Sequence, residues 1–178
     1  SSTSIETGTS VTRNYTSNNL NQYTAINNPT AAPTYDDDGN AVSCPLSSGN
    51  WTMTWDAENR LAVAEKTGQR LEFKYDYMSR RVEKKVLDGG SETSKERFVY
   101  DNYLQIEQIN AMDSNAVEKK RVWGGGKIIA DINSSGTSFY ALGDANKNIT
   151  DYLDASGTIQ GHYEFSPFGK ITVASGLI

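Results

Sequence analysis

The chain has 178 residues, enough for one domain of ordinary size, and a net charge of −5 from 17 basic and 22 acidic residues. Its single cysteine excludes an internal disulfide, and one cysteine with one histidine gives no support for a zinc site. The acidic balance predicts no nucleic-acid partner, and the basic clusters at 80–85 and 119–121 are expected to form a solvated face. No run approaches about 18 apolar residues, so the sequence predicts no membrane-spanning helix.

A two-residue motif, an aromatic residue followed by Asp, recurs along the chain. Its aromatic positions are 35, 55, 75 and 100, so the gaps between them are 20, 20 and 25 residues. Such spacing is typical of a repeat protein in which each unit buries its apolar face only against its neighbours. The four clearest copies are Tyr35-Asp36, Trp55-Asp56, Tyr75-Asp76 and Tyr100-Asp101.

The residues after the first three copies predict a strand, a tight turn and a second strand. Gly39-Asn40, Asn59-Arg60 and Ser79-Arg80 occupy equivalent positions in these turns. The Asp side chain can accept a hydrogen bond from the backbone two residues on, and Gly or Asn adopts a positive φ readily. The repeated Asp therefore has a structural role in this interpretation.

Alternation along the flanking segments favours half-buried antiparallel strands. Leu71, Phe73 and Tyr75 alternate with polar residues, and the segment 159–165 alternates in the same way. No stretch shows a sustained helical period. The sequence thus predicts an all-β protein of repeated antiparallel hairpins, roughly seven in number, forming a curved or spiralling sheet.

The whole chain, 1–178, is interpreted as a single repeat array. Residues 1–34 form a degenerate repeat with a turn rich in Pro and Asn, 35–123 hold the clearest repeats, and 124–178 are degenerate again. Turns are predicted near 19–22, 143–149 and 152–159, and Trp123 keeps the aromatic position.

These motifs resemble the YD-repeat, or Rhs (rearrangement hotspot), family of large bacterial proteins. The likeness covers residues 15–172 and is closest at 33–40, 55–61, 75–82 and 163–170. The last of these resembles the family's Tyr-Glu-Tyr-Asp-Pro-Phe-Gly stretch, which opens the core region after the repeats, with Phe165-Ser166 in place of Tyr-Asp. The resemblance implies a sheet of hairpins that spirals into a shell around a C-terminal toxin. Related shells occur in insecticidal toxin complexes and in animal teneurins.

The predicted repeat-motif residues share a structural role, and none is assigned to catalysis, to a cofactor or to a metal. They are Tyr35, Asp36, Gly39, Trp55, Asp56, Arg60, Tyr75, Asp76, Arg80, Tyr100, Asp101, Trp123, Tyr163, Pro167, Phe168 and Gly169. In the family, a segment linked to self-cleavage follows Pro-Phe-Gly; the chain ends before it, so neither self-cleavage nor toxicity is assigned.

Other chemistries have weaker support in the sequence. The acidic run 36–40 has its Gly at the fourth position, where a calcium-binding EF-hand loop needs it at the sixth. Gly126-Lys127 precedes Ile128, whereas a phosphate-binding loop requires Ser or Thr there. Cys44 is interpreted as a loop thiol and His162 as an exposed imidazole.

The predicted function is a non-catalytic segment of a longer bacterial protein, secreted or at the cell surface by the resemblance. Its expected partners are neighbouring repeats and an enclosed toxin polypeptide, and its exposed sheet edges predict self-association. The alternative is a self-contained module that binds glycans or acts as an adhesin through its aromatic residues. A hydrolase using pairs of Asp residues is a third, less supported, hypothesis.

Overall fold

A computed structural model of the chain describes residues 2–6, 9–27, 32–46, 49–167 and 169–176, with backbone alone for 2–13 and 46. Every regular element in these ranges is a β-strand, and none of these residues forms a helix that could cross a membrane. The strands are β1 Ser2–Glu6, β2 Thr9–Arg13, β3 Tyr15–Ser17, β4 Tyr23–Ile26, β5 Thr34–Tyr35, β6 Ala41–Leu46, β7 Gly49–Trp55, β8 Leu61–Lys66, β9 Gln69–Tyr75, β10 Arg81–Asp88, β11 Ser91–Asp101, β12 Leu104–Asn110, β13 Ala116–Gly124, β14 Lys127–Asn133, β15 Ser138–Gly143, β16 Ile149–Leu153, β17 Ile159–Phe165 and β18 Ile171–Gly176. The predicted all-β class is confirmed.

The chain divides into two compact units, residues 1–94 and 95–178. In the first, β1 pairs with β2, β3 pairs with β4, and β5 to β10 pair in sequence order. In the second, β11 to β18 also pair in sequence order. Every pairing described within each unit is antiparallel and joins strands consecutive in the chain, as a series of hairpins requires.

The two faces of the sheet in the first unit differ in chemistry. On one face, Arg70 donates to Glu65 at 2.6 Å and to Glu72 at 2.8 Å, and Lys85 Nζ lies 2.7 Å from Glu72. On the other face, Leu71 lies opposite Ala64. The predicted alternation is therefore present.

Few side chains are fully buried, because a single layer of hairpins covers each residue mainly from its two neighbouring strands. Among the described residues, the buried apolar side chains are Ala64, Phe98, Ala130 and Tyr152, and the buried charged ones are Glu83 and Asp131. The aromatic side chains at the motif positions are half-buried. Neighbouring strands, rather than a second layer, supply most of the packing.

The prediction that Cys44 is a loop thiol is wrong. Cys44 lies within β6 opposite Trp51, and its side chain is half-buried. Pro45 follows it in the strand because β5 is only two residues long and pairs no further than Ser43. Beyond that point no described strand pairs with β6 on the β5 side, so the missing amide hydrogen of proline breaks no ladder bond there among the described residues.

Candidate functional site

The turn from Asp56 to Arg60 shows what the repeated Asp does. Its Oδ1 accepts hydrogen bonds from the backbone amides of Glu58 at 2.9 Å and Arg60 at 3.0 Å. The Asp56 amide donates to the Arg60 carbonyl at 2.9 Å, and the Asp56 carbonyl accepts from the Asn59 amide at 3.0 Å. Asn59 has a φ of 58°, a left-handed conformation that Asn adopts more readily than most residues. One carboxylate thus holds a whole five-residue turn.

Eight turns within the described residues share this geometry. In each, the side chain of the first residue accepts a hydrogen bond from the amide of the fifth, and the first and fourth residues are joined through the backbone. The fourth residue has a φ between 58° and 86° in all of them. The first residues are Asn18, Asp36, Asp56, Asp76, Asn133, Asp144, Asp154 and Ser166.

Sequence reasoning missed the turn at Asn133 because it searched for Asp after an aromatic residue. The geometry needs only a short side-chain acceptor at the first position and a residue that tolerates a positive φ at the fourth. Asn133 accepts from the Thr137 amide at 2.9 Å, and Gly136 has a φ of 84°. A search for Asn, Asp or Ser followed three residues later by Gly or Asn would have found it.

The fourth copy of the motif has a different geometry. Tyr100 is near the end of β11 as expected, but Asp101 is itself paired with Leu104 in the ladder. Only two residues separate these partners, and Asn102 takes a φ of 51°. The loop is therefore too short to present the amides that the other Asp side chains accept. The prediction that Asp101 acts like Asp36, Asp56 and Asp76 needs this correction.

A β-bulge lies close to most of the turns. Trp55 pairs with Leu61 while Thr54 pairs with Val63, so the second residue of the return strand is extra. Nine other hairpins among the described residues have an extra residue at the second or third position of the return strand, whereas β14 and β15, joined by the Asn133 turn, pair without a shift. Because a bulge increases the local twist, these repeats add a similar distortion beside their turns.

The motif aromatics reach across to the neighbouring strand. Four of them donate a hydrogen bond to a carbonyl near the start of the preceding return strand, so each closes the bulged end of the hairpin before it. The bonds run from Tyr35 Oη to Tyr23 O at 3.3 Å, from Trp55 Nε1 to Ala41 O at 2.8 Å, from Tyr75 Oη to Leu61 O at 3.0 Å, and from Trp123 Nε1 to Gln105 O at 2.7 Å. This polar bond explains why Tyr and Trp occupy these positions.

Successive turns in the first unit are linked to one another. Asn40 Nδ2 donates to Asn59 Oδ1 at 2.9 Å, which joins the first two Asp turns. Arg60 Nη1 donates to the Asp76 carbonyl at 3.1 Å, and its guanidinium lies 5.1 Å from the centre of the Tyr75 ring. Arg60 therefore connects its own turn to the next, through both a hydrogen bond and a cation–π contact.

The turn carboxylates are held in the ionised form. Hydrogen bonds from the backbone and side chain of Arg60 lower the pKa of Asp56, and the Arg80 side chain lowers the pKa of Asp76. Bonds led by the Ser156 hydroxyl lower the pKa of Asp154 to about 2. A carboxylate that is ionised at all ordinary pH values and occupied by its own turn is poorly suited to acid–base catalysis.

The C-terminal motif residues lie at the last hairpin. Tyr163 is half-buried in β17, and Pro167 and Gly169 belong to the turn that Ser166 caps. Ser166 Oγ accepts from the Lys170 amide at 3.1 Å, so a hydroxyl replaces the usual carboxylate. Phe168 lies outside the described residues.

A buried ionic cluster in the second unit was not predicted. Asp131 is only 1% exposed; Arg121 donates to its carboxylate at 2.9 and 3.3 Å, and the Tyr152 hydroxyl donates at 2.7 Å. Lys119 Nζ lies 3.7 Å away. Burial raises the pKa of Asp131, but the bonds from Arg121 and Tyr152 outweigh it and the pKa is lowered.

The single histidine joins two strands. His162 Nδ1 lies 2.7 Å from Asp151 Oδ1 on β16, and Nε2 lies 3.6 Å from Glu164 Oε1. The hydrogen bond with Asp151 raises the pKa of His162. Among the described residues, no three His, Cys, Asp or Glu side chains come together as metal ligands.

No family model matches the sequence. Among curated proteins, the chain is 28% identical over 173 residues to the tRNA3(Ser)-specific nuclease WapA of Bacillus spizizenii. It is 29% identical over 174 residues to the tRNA nuclease WapA of Bacillus subtilis strain 168. Each match covers 96% of this chain but only 7% of the relative's length.

Two solved structures share the fold. A Tc holotoxin pore of Photorhabdus luminescens with a mutated TccC3 gives a TM-score of 0.55 at 14% identity, and the TcdB2–TccC3–TEV crystal structure gives 0.56 at 18%. Each likeness covers 92% of this chain and 10% of the other. Together with the recurring motif and the consecutive hairpins, these findings confirm the resemblance of the chain to YD-repeat segments of the Rhs type.

Proposed function

We propose that the chain is a non-catalytic wall segment of a longer, secreted or cell-surface Rhs-type protein, in which the wall encloses or presents a C-terminal effector. The observation that carries this proposal is that the repeated carboxylates bind groups of their own turns. Asp56 and Asp76 each accept two backbone amides and an arginine, so they maintain hairpins. A nuclease activity of the kind named for the WapA relatives would then reside in another part of the parent polypeptide.

The linkage between turns supports the same proposal. Arg60 binds both its own Asp and the carbonyl of Asp76 in the next turn, so adjacent repeats stabilise one another. A repeat stabilised by its neighbours gains most when the array is long. The matched segment is a small part of each relative, which agrees with a wall element rather than a complete module.

The first test is the size of the natural product. Immunoblotting and mass spectrometry of the producing cell should find this segment in a polypeptide several times larger than 19.6 kDa. A stable product near that mass would contradict the wall function. The parent protein is then treated with protease, and a C-terminal polypeptide should resist digestion while the array is intact.

Turn variants make this test specific. Asp56→Ala with Asp76→Ala should expose the C-terminal polypeptide to protease, whereas Asp37→Ala should not, because the Asp37 side chain makes no hydrogen bond among the described residues. Equal protection in both variants would argue against a wall that depends on these turns. The isolated chain should not cleave tRNA; cleavage abolished by Asp76→Ala in a folded protein would overturn the non-catalytic assignment.

A glycan-binding module is the second candidate, and one observation favours it. Tyr77, at the tip of the Asp76 turn, is 91% exposed, and Tyr103, at the tip of the Asn102 turn, is 70% exposed. Solvent-facing rings of this kind suit stacking against sugars. Titration of glycans against the chain, with Tyr77→Ala as the variant, distinguishes the candidates, since the wall function predicts no saturable binding.

A further inference from the structure

The second unit contains an aromatic trough, a cavity of about 830 Å³ on one face of β13 to β18. All six strands contribute to it. The lining from successive strands includes Trp123, Ile128, Ala141, Tyr152, Tyr163 and Ile171. The ladder places Trp123 opposite Ile128 and Ala141 opposite Tyr152, so these side chains share a face.

The trough includes Gly143, a position where the repeat lacks an aromatic residue. The residue before the capped turn is Trp55 or Tyr75 in the first unit, but Gly143 precedes Asp144. Trp123 and Phe165 stand at the corresponding ends of β13 and β17, on either side of Gly143. A ring is therefore missing between two rings; the Asn148 carbonyl lies 3.0 Å from where a Cβ of residue 143 would stand, and Gly143 forms part of the trough lining.

The rim of the trough carries positive charge without internal partners. Lys127 and Lys147 are exposed, and neither ammonium group forms an ion pair with any residue that the structure describes. The one acidic side chain of the lining, Asp144, is already bound to Asn148 and to its own turn. In a chain of net charge −5, this rim favours an anionic occupant.

We propose that the aromatic trough binds an extended acidic peptide in which Asp or Glu alternates with aliphatic or aromatic side chains. The apolar floor takes the apolar side chains, and Lys127 and Lys147 take the carboxylates. Six strands at about 4.8 Å spacing span roughly 24 Å, the length of about seven extended residues. A single-stranded nucleic acid fits less well, since it would need cations along its whole backbone.

This inference goes beyond the wall function and does not depend on it, because the isolated chain contains all of the trough that is described. The assay is fluorescence anisotropy with the full 178-residue chain and a labelled peptide of about eight residues in which Glu alternates with Leu and Phe. Two further probes are the same peptide with Lys in place of Glu, and an oligouridylate of similar length. The expected result is saturable, salt-sensitive binding of the acidic peptide alone.

Matched variants locate the binding. Reversing two exposed charges, Lys127→Glu with Lys147→Glu, should weaken binding on the order of tenfold, given the modest strength of exposed ion pairs. The control, Lys95→Glu with Lys120→Glu, makes the same change in charge outside the trough and should bind normally. Ala141→Trp should fill the trough and remove binding. Circular dichroism checks that each variant is folded.

Four outcomes would overturn the proposal. They are no saturable binding of the acidic peptide, equal weakening in the control, stronger binding of the oligouridylate, and light scattering that shows a dimer of the chain which Ala141→Trp makes monomeric. A failure here leaves the wall function intact, since that function is tested by the size of the parent product and its protease protection.

Discussion

The substitution Tyr152→Phe tests the buried ionic cluster. It removes a 2.7 Å hydrogen bond from the phenol to the Asp131 carboxylate, which is 1% exposed and cannot exchange its partner for bulk water. Hydrogen bonds to charged groups contribute about 1.5–3 kcal/mol to the free energy of unfolding. Arg121 still binds the carboxylate at 2.9 Å, so the charge keeps one partner and we expect a loss of about 2 kcal/mol.

The assay is urea unfolding monitored by circular dichroism. The urea concentrations at the midpoint are compared between variants whose unfolding free energy has the same dependence on urea concentration. Tyr163→Phe on the adjacent strand is the control, because the Tyr163 hydroxyl has no hydrogen bond to any residue that the structure describes. It should change the free energy of unfolding by less than about 0.5 kcal/mol. If the two variants are equally stable, the hydrogen bond from Tyr152 on β16 to Asp131 on β14 does not stabilise the folded chain.

Three further predictions concern the turns and the histidine. Asp76→Ala should lower the urea midpoint more than Asp37→Ala does, because only Asp76 holds backbone amides, at 2.9 and 3.1 Å; equal midpoints would refute this. Gly157→Ala, at a φ of 83°, should cost about 1 kcal/mol while Ser79→Gly, at a φ of 60°, should gain up to that amount in the same assay. The folded-state pKa of His162 is raised, so its stabilisation is present below the unfolded pKa and is lost as pH rises through the folded pKa; the wild-type advantage over His162→Gln should therefore be larger at pH 5.5 than at pH 8.5.

The turns could be predicted because their chemistry is local. Asp56 reaches amides two and four residues ahead, and Asn59 supplies the positive φ, so the whole device lies within five residues of sequence. The Tyr100-Asp101 copy shows the limit of this reasoning. There Asp101 pairs directly with Leu104, which leaves only two residues for the loop. The same aromatic-Asp motif therefore gives a different, shorter turn.

The aromatic positions were predicted as packing residues, but their hydrogen bonds were not. Trp55 donates to Ala41, fourteen residues earlier, and Trp123 donates to Gln105, eighteen residues earlier. These distances depend on how far each hairpin extends before it returns, which varies between repeats. Only the strand register shows which carbonyl each ring reaches.

The sequence by itself determined the element type, the antiparallel pairing of consecutive strands and most of the turns, since each depends on residues close together in the chain. The tertiary structure decided what is brought together from several strands. Asp131 meets Arg121 from ten residues earlier and Tyr152 from twenty-one residues later, and the trough at Gly143 collects side chains from six strands. A period-two pattern in the sequence predicts on which face of the sheet each side chain lies. The strand register and the bulges determine which side chains on other strands it contacts.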